Sequence, residues 1–244
     1  VDVKERLIFP LDVPSLKEAC AWVARLKEVV GIFKIGLELF VAHGPQAIEA
    51  VRDAGAEEIF LDLKLHDIPA TMQQAARAAS RHGVDILTVH MLAGRQAVRK
   101  TVEAIEGGTK VFGVTILTSH TRAELMEIGY APELSRDIKE AVLRLANLAY
   151  RAGCHGIVCS GKEVAAVKEA YRHLRTIVPG VRPLWAADPQ DQARVVTPGE
   201  AIRAGADYLV IGRPIREAED PSSAAAKILD EMKEAFQERG LIFG

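Results

Sequence analysis

The feature that most narrows the fold of this chain is an alternation: short runs rich in Val, Ile and Leu recur between longer segments of helical period. Successive βα units around a parallel sheet produce this order, because a parallel strand buried on both faces reads as a short continuous apolar run. The expected strands cover 7–13, 32–37, 58–65, 85–91, 110–117, 156–160, 175–181 and 208–214. The expected helices cover 15–30, 46–54, 69–81, 96–105, 134–152, 163–172, 199–204 and 221–239. Gly31, Gly55, Gly83, Gly107, Gly153 and Gly205 each close a helical pattern just ahead of a strand, where the left-handed conformation of a helix C′ position is expected.

About eight βα units in 244 residues fit a (β/α)8 TIM barrel, typically about 250 residues long, better than an open doubly wound sheet. No Pro-, Gly- or Ser-rich linker divides the chain, so one domain over 1–244 is expected. The longest segments without periodicity, 118–132 and 182–198, follow the fifth and seventh strands and read as lids or binding loops. With 49% hydrophobic and 26% charged residues the chain can bury a full core. Its net charge of −2 offers no basic field for nucleic acid. Cys20, Cys154 and Cys159 lack any Cys-x-x-Cys spacing and read as buried free thiols. No apolar run approaches the roughly 18 residues of a membrane span, and a cytoplasmic protein without membrane contacts is expected.

In such a barrel the reactive groups project from the C-terminal ends of strands. Asp12, Lys34, Asp62, Lys64, His90, Thr118 and Ser160 lie in or at the ends of the first six expected strands, and Arg182 and Arg213 belong to the seventh and eighth. Residues two apart on a strand share a face, so Asp62 and Lys64 should both enter the barrel mouth while Leu61, Leu63 and Leu65 face the helices. A buried charge needs a partner. Lys34, flanked by Phe33 and Ile35, supplies a second inward ammonium, and Asp12 a further carboxylate. An internal salt-bridge network serving stability alone is a poor explanation, because apolar packing stabilises a barrel better than buried ion pairs do. Asp67 is ambiguous by itself: Ile68-Pro69 opens a helix, and Asp67 would serve as its N-cap.

The run Asp62-Leu63-Lys64-Leu65-His66-Asp67-Ile68-Pro69 has the form D-x-K-x-x-D-I-P and resembles the signature of the orotidine 5′-monophosphate decarboxylase family. The resemblance extends along nearly the whole chain. Asp12 in Pro-Leu-Asp and Lys34 in Phe-Lys-Ile-Gly resemble the family's first-strand aspartate and second-strand lysine, and Thr118 in Leu-Thr-Ser its pyrimidine-contacting hydroxyl. Pro179-Gly180-Val181-Arg182, the segment 191–198 with Gln192, and Ile211-Gly212-Arg213-Pro214 resemble its phosphate-end motifs, in order. Val178 departs from the pattern, which more usually has threonine or serine before Pro-Gly.

The resemblance implies decarboxylation of orotidine 5′-monophosphate to uridine 5′-monophosphate without metal or organic cofactor. It implies that Lys64 stabilises the C6 carbanion and protonates it, with Asp62 beside the departing carboxylate and Lys34 and Asp12 on the ribose hydroxyls. Arg182, Gln192, Gly212 and Arg213 would grip the phosphate, with 182–198 as the lid. Asp67, Ile68 and Thr71 would enter a neighbouring subunit's site, making a homodimer of two composite sites.

Other readings follow from single residues. His66 and His90 beside Asp62 and Asp67 suggest a metal site, against which Lys34 and Lys64 in the same mouth would repel a divalent cation. The remaining histidines read as surface or structural. Ser160 has no evident base, so covalent serine catalysis is not expected. A magnesium-dependent sugar-phosphate lyase such as hexulose-phosphate synthase shares the D-x-K-x-x-D run, and a non-catalytic nucleotide-binding barrel is a rival of another class.

Overall fold

A computed structural model describes residues 2–132, 137–186 and 196–240. Eight parallel strands close on themselves in sequence order. They are β1 Leu7–Pro10, β2 Ile32–Ile35, β3 Glu58–Leu65, β4 Ile86–His90, β5 Lys110–Val114, β6 Gly156–Val158, β7 Arg175–Pro179 and β8 Tyr208–Val210. The expected (β/α)8 barrel is therefore the fold.

Two apolar cores follow from the two faces of the strands. Ile8, Ile32, Phe60, Ile86, Phe112, Ile177 and Tyr208 fill the barrel interior, with Val158 and Val210 against them. Alternate residues such as Phe9, Phe33, Ile59, Leu61 and Leu87 face the helices in a second, larger core. The helix Ile138–Ala152 shows how that outer layer forms. Asp137 accepts the Lys139 N–H as N-cap, Ala141, Val142, Leu145, Ala146, Ala149 and Ala152 make one buried stripe, and Gly153 ends the helix at φ 85°. Burying a side chain such as Val142 or Leu145 contributes about 1.5–3 kcal/mol.

Six of the expected strands run two or more residues past the real ones at their C-terminal ends. The β1 ladder stops at Pro10, β2 at Ile35, β5 at Val114, β6 at Val158, β7 at Pro179 and β8 at Val210. Beyond these points apolar sequence continues, but the chain turns outward to build the mouth. Short helices at Leu37–His43 and Arg213–Arg216 occupy sequence next to the expected strand ends, and Arg122–Glu127 lies inside an expected loop. That last helix carries a capping box, Thr121 with Glu124.

Gly31 corrects the glycine reading. The other five glycines do have positive φ, but Gly31 does not. Its role is close approach: a Cβ there would stand 2.6 Å from the Lys4 carbonyl oxygen and the Glu5 Cα of the N-terminal turn Val3–Arg6. The Gly31 N–H donates to that Lys4 carbonyl. Cys154 and Cys159 are buried as expected, and burial pushes the Cys154 thiol up to about 12. Cys20 is only partly buried, its thiol against the Ala50 carbonyl. Among the described residues no helix is long and apolar enough to cross a membrane.

Candidate active site

Going up each strand by two residues from the apolar plug changes the chemistry. Ile8 gives way to Pro10 and Asp12, Ile32 to Lys34, Phe60 to Asp62, and Ile86 to Thr88. Of these upper positions all but Thr88 line a cavity of about 400 Å³ at the C-terminal mouth, with Lys64, Thr118, Arg182, Gly212 and Arg213 among its other walls. Eight of the expected site residues thus meet in one cavity from six different strands or the loops that follow them.

Asp62 is the centre of the array. Its Oδ2 lies 2.9 Å from Lys64 Nζ and 3.4 Å from Lys34 Nζ, and Lys34 Nζ lies 3.5 Å from Asp12 Oδ1. Burial works to raise the Asp62 pKa, but the charges of Lys34 and Lys64, with hydrogen bonds from Lys64 and Thr88, hold it below the ordinary carboxylate range. Both lysines are thus held against an anion. Gly36 leaves room for this pairing, since a Cβ there would come within 3.1 Å of Lys34 Nζ and 3.2 Å of Asp12 Oδ1.

Lys64 reaches the cavity by a route the period-two pattern does not contain. Leu61 pairs with Leu87 and Leu65 with Val89, so β3 advances four residues while β4 advances two. The excess forms a bulge, and Lys64 within it has φ 48°, the one positive φ among the described non-glycine residues. Such a conformation costs a residue with a Cβ about 1–3 kcal/mol. Its N–H is taken by Thr88 Oγ1 at 3.0 Å. Leu61, Leu63 and Leu65 pack toward the helices as expected.

Asp67, Ile68 and Thr71 stand apart from this cavity. All three are exposed, Ile68 by 66%, and Asp67 and Thr71 line a separate shallow hollow on the far side of Lys64. The N-cap of the helix Pro69–Arg81 is Ile68, not Asp67. Asp67 instead accepts the adjacent Ile68 N–H at 2.6 Å, so the local capping role is corrected.

At the opposite rim, Gly212 is the N-cap of the short helix Arg213–Arg216, and a Cβ on it would meet Pro10 Cγ at 2.8 Å. Arg182 is tied down through its N–H to the Val196 carbonyl at 3.1 Å. Arg182 and Arg213 also flank a second hollow with the half-exposed Trp185. Gln192 lies outside the described residues, as does most of the expected lid. Arg216, which no motif reading selected, lines the main cavity and donates from Nη2 to the Pro10 carbonyl at 2.8 Å.

His90 stands near the rim with its ring 5.5 Å from that of His66. Burial first, then His66, Lys64 and His120, lower its pKa to about 4. It accepts the Leu92 N–H on Nδ1 at 3.3 Å, as a neutral imidazole can. Ser160 is held by the Glu163 carboxylate, which it donates to, and Glu163 also accepts the Ser160 N–H at 3.0 Å. Among the described residues no group of three or more His, Cys, Asp or Glu side chains is placed to hold a metal ion.

Fold and cavity together define a parallel (β/α)8 barrel with an alternating lysine–carboxylate array at its catalytic face. The chain belongs to the orotidine 5′-phosphate decarboxylase / HUMPS family, whose model matches residues 5–228. It is 45% identical over 237 residues to the orotidine 5′-phosphate decarboxylase of Desulfosudis oleivorans, covering 96% of this chain and 95% of that one. It is 48% identical over 227 residues to the enzyme of the same name from Anaeromyxobacter sp. strain K, covering 92% and 96%. The crystal structure of orotidine 5′-phosphate decarboxylase from Lactobacillus acidophilus superposes with a TM-score of 0.79 at 31% identity, covering 93% of this chain and 98% of that one.

Proposed function

We propose that this chain, as one domain over residues 1–244, decarboxylates orotidine 5′-monophosphate to uridine 5′-monophosphate and carbon dioxide. The observation that carries the reading is Asp62 Oδ2 shared between Lys34 and Lys64 on the floor of the cavity. Breaking the bond from C6 to the carboxylate leaves an electron pair in the plane of the ring, where resonance cannot spread it. A fixed cation at that point lowers the barrier more than it stabilises the ground state. Lys64 is that cation and also the acid: one Nζ proton passes to C6, and the neutral amine is reprotonated from water.

Asp62 keeps Lys64 charged until the reaction needs its proton, and stands beside the departing carboxylate. Lys34 and Asp12 hold the ribose hydroxyls, and Thr118 meets the pyrimidine. Arg182, Gly212 and Arg213, with Gln192, grip the phosphate at the usual barrel position for that group. Binding energy gathered there closes the loop over the base. The chemistry runs through these side chains without a metal or organic cofactor, and the ammonium groups of Lys34 and Lys64 in the same mouth, which repel a divalent cation, support that reading.

Asp67, Ile68 and Thr71 serve the site of a second copy of the chain in a homodimer. Their exposure at the start of Pro69–Arg81, away from their own cavity, supports that placement. The deciding experiment follows the loss of orotidine 5′-monophosphate absorbance and the release of carbon dioxide, with and without EDTA. Turnover that persists in EDTA is expected. Its absence at saturating substrate refutes the assignment, and turnover only with added magnesium refutes the cofactor-free mechanism.

A further inference from the structure

Thr88 is fully buried on β4, beneath the cavity, and belongs to none of the motifs in the sequence. Its Oγ1 accepts the Lys64 backbone N–H at 3.0 Å and donates to Asp62 Oδ1 at 2.8 Å. The direction of each bond is settled by chemistry. An N–H can only donate and an ionised carboxylate can only accept, so the hydroxyl proton must point at Asp62. Asp62 Oδ1 is thereby occupied, and Oδ2 is left to face both lysines, at 2.9 Å from Lys64 Nζ and 3.4 Å from Lys34 Nζ.

We infer that Thr88 is a positioning residue for this site, a two-way clamp that holds the backbone of Lys64 in its bulge and turns the Asp62 carboxylate toward the lysine pair. One hydroxyl links the two residues that act at C6, and it does so across strands, from β4 to β3. The bulge alone would leave the part-buried Lys64 N–H without this partner, and alternative backbone conformations would move Nζ relative to the substrate. The kinetic consequence rests on the decarboxylation reading. The geometric consequence does not.

Three chains distinguish the clamp from packing: wild type, Thr88→Val, which keeps the shape and removes the hydroxyl, and Thr88→Ser, which keeps the hydroxyl. Two quantities are read, the steady-state constants for orotidine 5′-monophosphate and the titration of Asp62 by carboxyl carbon NMR in the substrate-free protein. Thr88→Val is expected to lower kcat by about ten- to a hundredfold with KM within about threefold, the size of effect that losing hydrogen bonds to a charged group produces. Thr88→Ser should stay within about threefold of wild type in kcat, since its hydroxyl can make the same bonds. Asp62 should titrate at higher pH in Thr88→Val than in wild type.

Wild-type kcat and an unmoved Asp62 titration in Thr88→Val overturn the inference, and so does a serine variant as impaired as the valine one. If wild type itself does not turn over the substrate, the decarboxylation reading fails alone, and the Asp62 titration still decides the clamp. Should Thr88→Val not fold, Thr88→Ala removes the hydroxyl without crowding and takes its place in both measurements.

Discussion

Two buried aspartates, one at each end of the barrel, show how the same ion-pair chemistry is put to different uses. Asp62 at the mouth and Asp207 at the entry to β8 are each 8% exposed and each flanked by two cations. For both, burial works to raise the pKa, and paired charges and hydrogen bonds hold it below the ordinary range instead. Their partners differ. Asp207 takes Lys168 Nζ at 2.6 Å, Arg175 Nη1 at 2.8 Å and the Thr176 backbone N–H at 2.8 Å, and Lys168 is also bound to the Leu174 carbonyl. It ties the entrance of β8 to that of β7. Among the described residues the Asp62 carboxylate is bonded only to side chains, and both of its lysines line the open cavity. A saturated cluster holds strands together; one with its cations facing a cavity is ready for a ligand's charge.

The largest expected effect is on chemistry at the mouth. Lys64→Ala should lower turnover by at least about a thousandfold, combining loss of the fixed cation and of the acid, while the protein remains folded. Retained turnover in a stopped assay for carbon dioxide would remove the role assigned to Lys64.

At the other end the expected effect is on stability. Asp207→Asn leaves two cations without their anion and should cost about 3 kcal/mol in urea unfolding, with kcat per folded molecule unchanged. Equal stability, or a selective loss of kcat, would show that the two aspartates are not divided in this way.

Subunit mixing comes next in size. If the proposed composite dimer forms, equal amounts of Asp67→Ala and Lys64→Ala chains, allowed to exchange, should recover about a quarter of wild-type activity, because half the dimers would be mixed and each of those would have one intact site. No recovery despite demonstrated exchange would argue that Asp67 serves its own barrel.

The smallest effect is on pH dependence. A folded His90 pKa of about 4, below the ordinary histidine value, means that the unfolded chain binds more protons as the pH falls toward 4. Stability due to a neutral His90 is therefore present above the ordinary value and lost as pH falls through the folded one. Asp62 and Asp207 act in the same direction lower down: their contribution is present above the ordinary carboxylate pKa and lost as pH falls through their lowered values. His90→Gln should shrink the fall in thermal midpoint between pH 7 and about pH 5, leaving the steeper loss at lower pH. An unchanged fall would mean that folding does not lower the His90 pKa.

Much of the site could be read from residue order. Asp12, Lys34, Asp62, Lys64, Thr118, Arg182, Gly212 and Arg213 all reach one cavity, because polar groups at the ends of apolar strands have only the barrel mouth to enter. Thr88 and Asp207 escaped. Thr88 sits inside an apolar run and looks like any β-branched strand residue, and Asp207 looks like a turn residue before a strand. The signal for Thr88 was a hydroxyl where a barrel interior ordinarily has an aliphatic side chain.

What the sequence by itself determined is the count and order of the βα units, the apolar faces, and which charged groups sit at strand ends. These depend on periodicity along the chain, which is local. Only the tertiary structure decided the bulge in β3, the positive φ of Lys64, the Thr88 bonds to it and to Asp62, and the exposure of Asp67 outside its own cavity. Each depends on the register of one strand against its neighbour, and residues 24 and 26 positions apart meet there. No pattern within a single strand contains that distance.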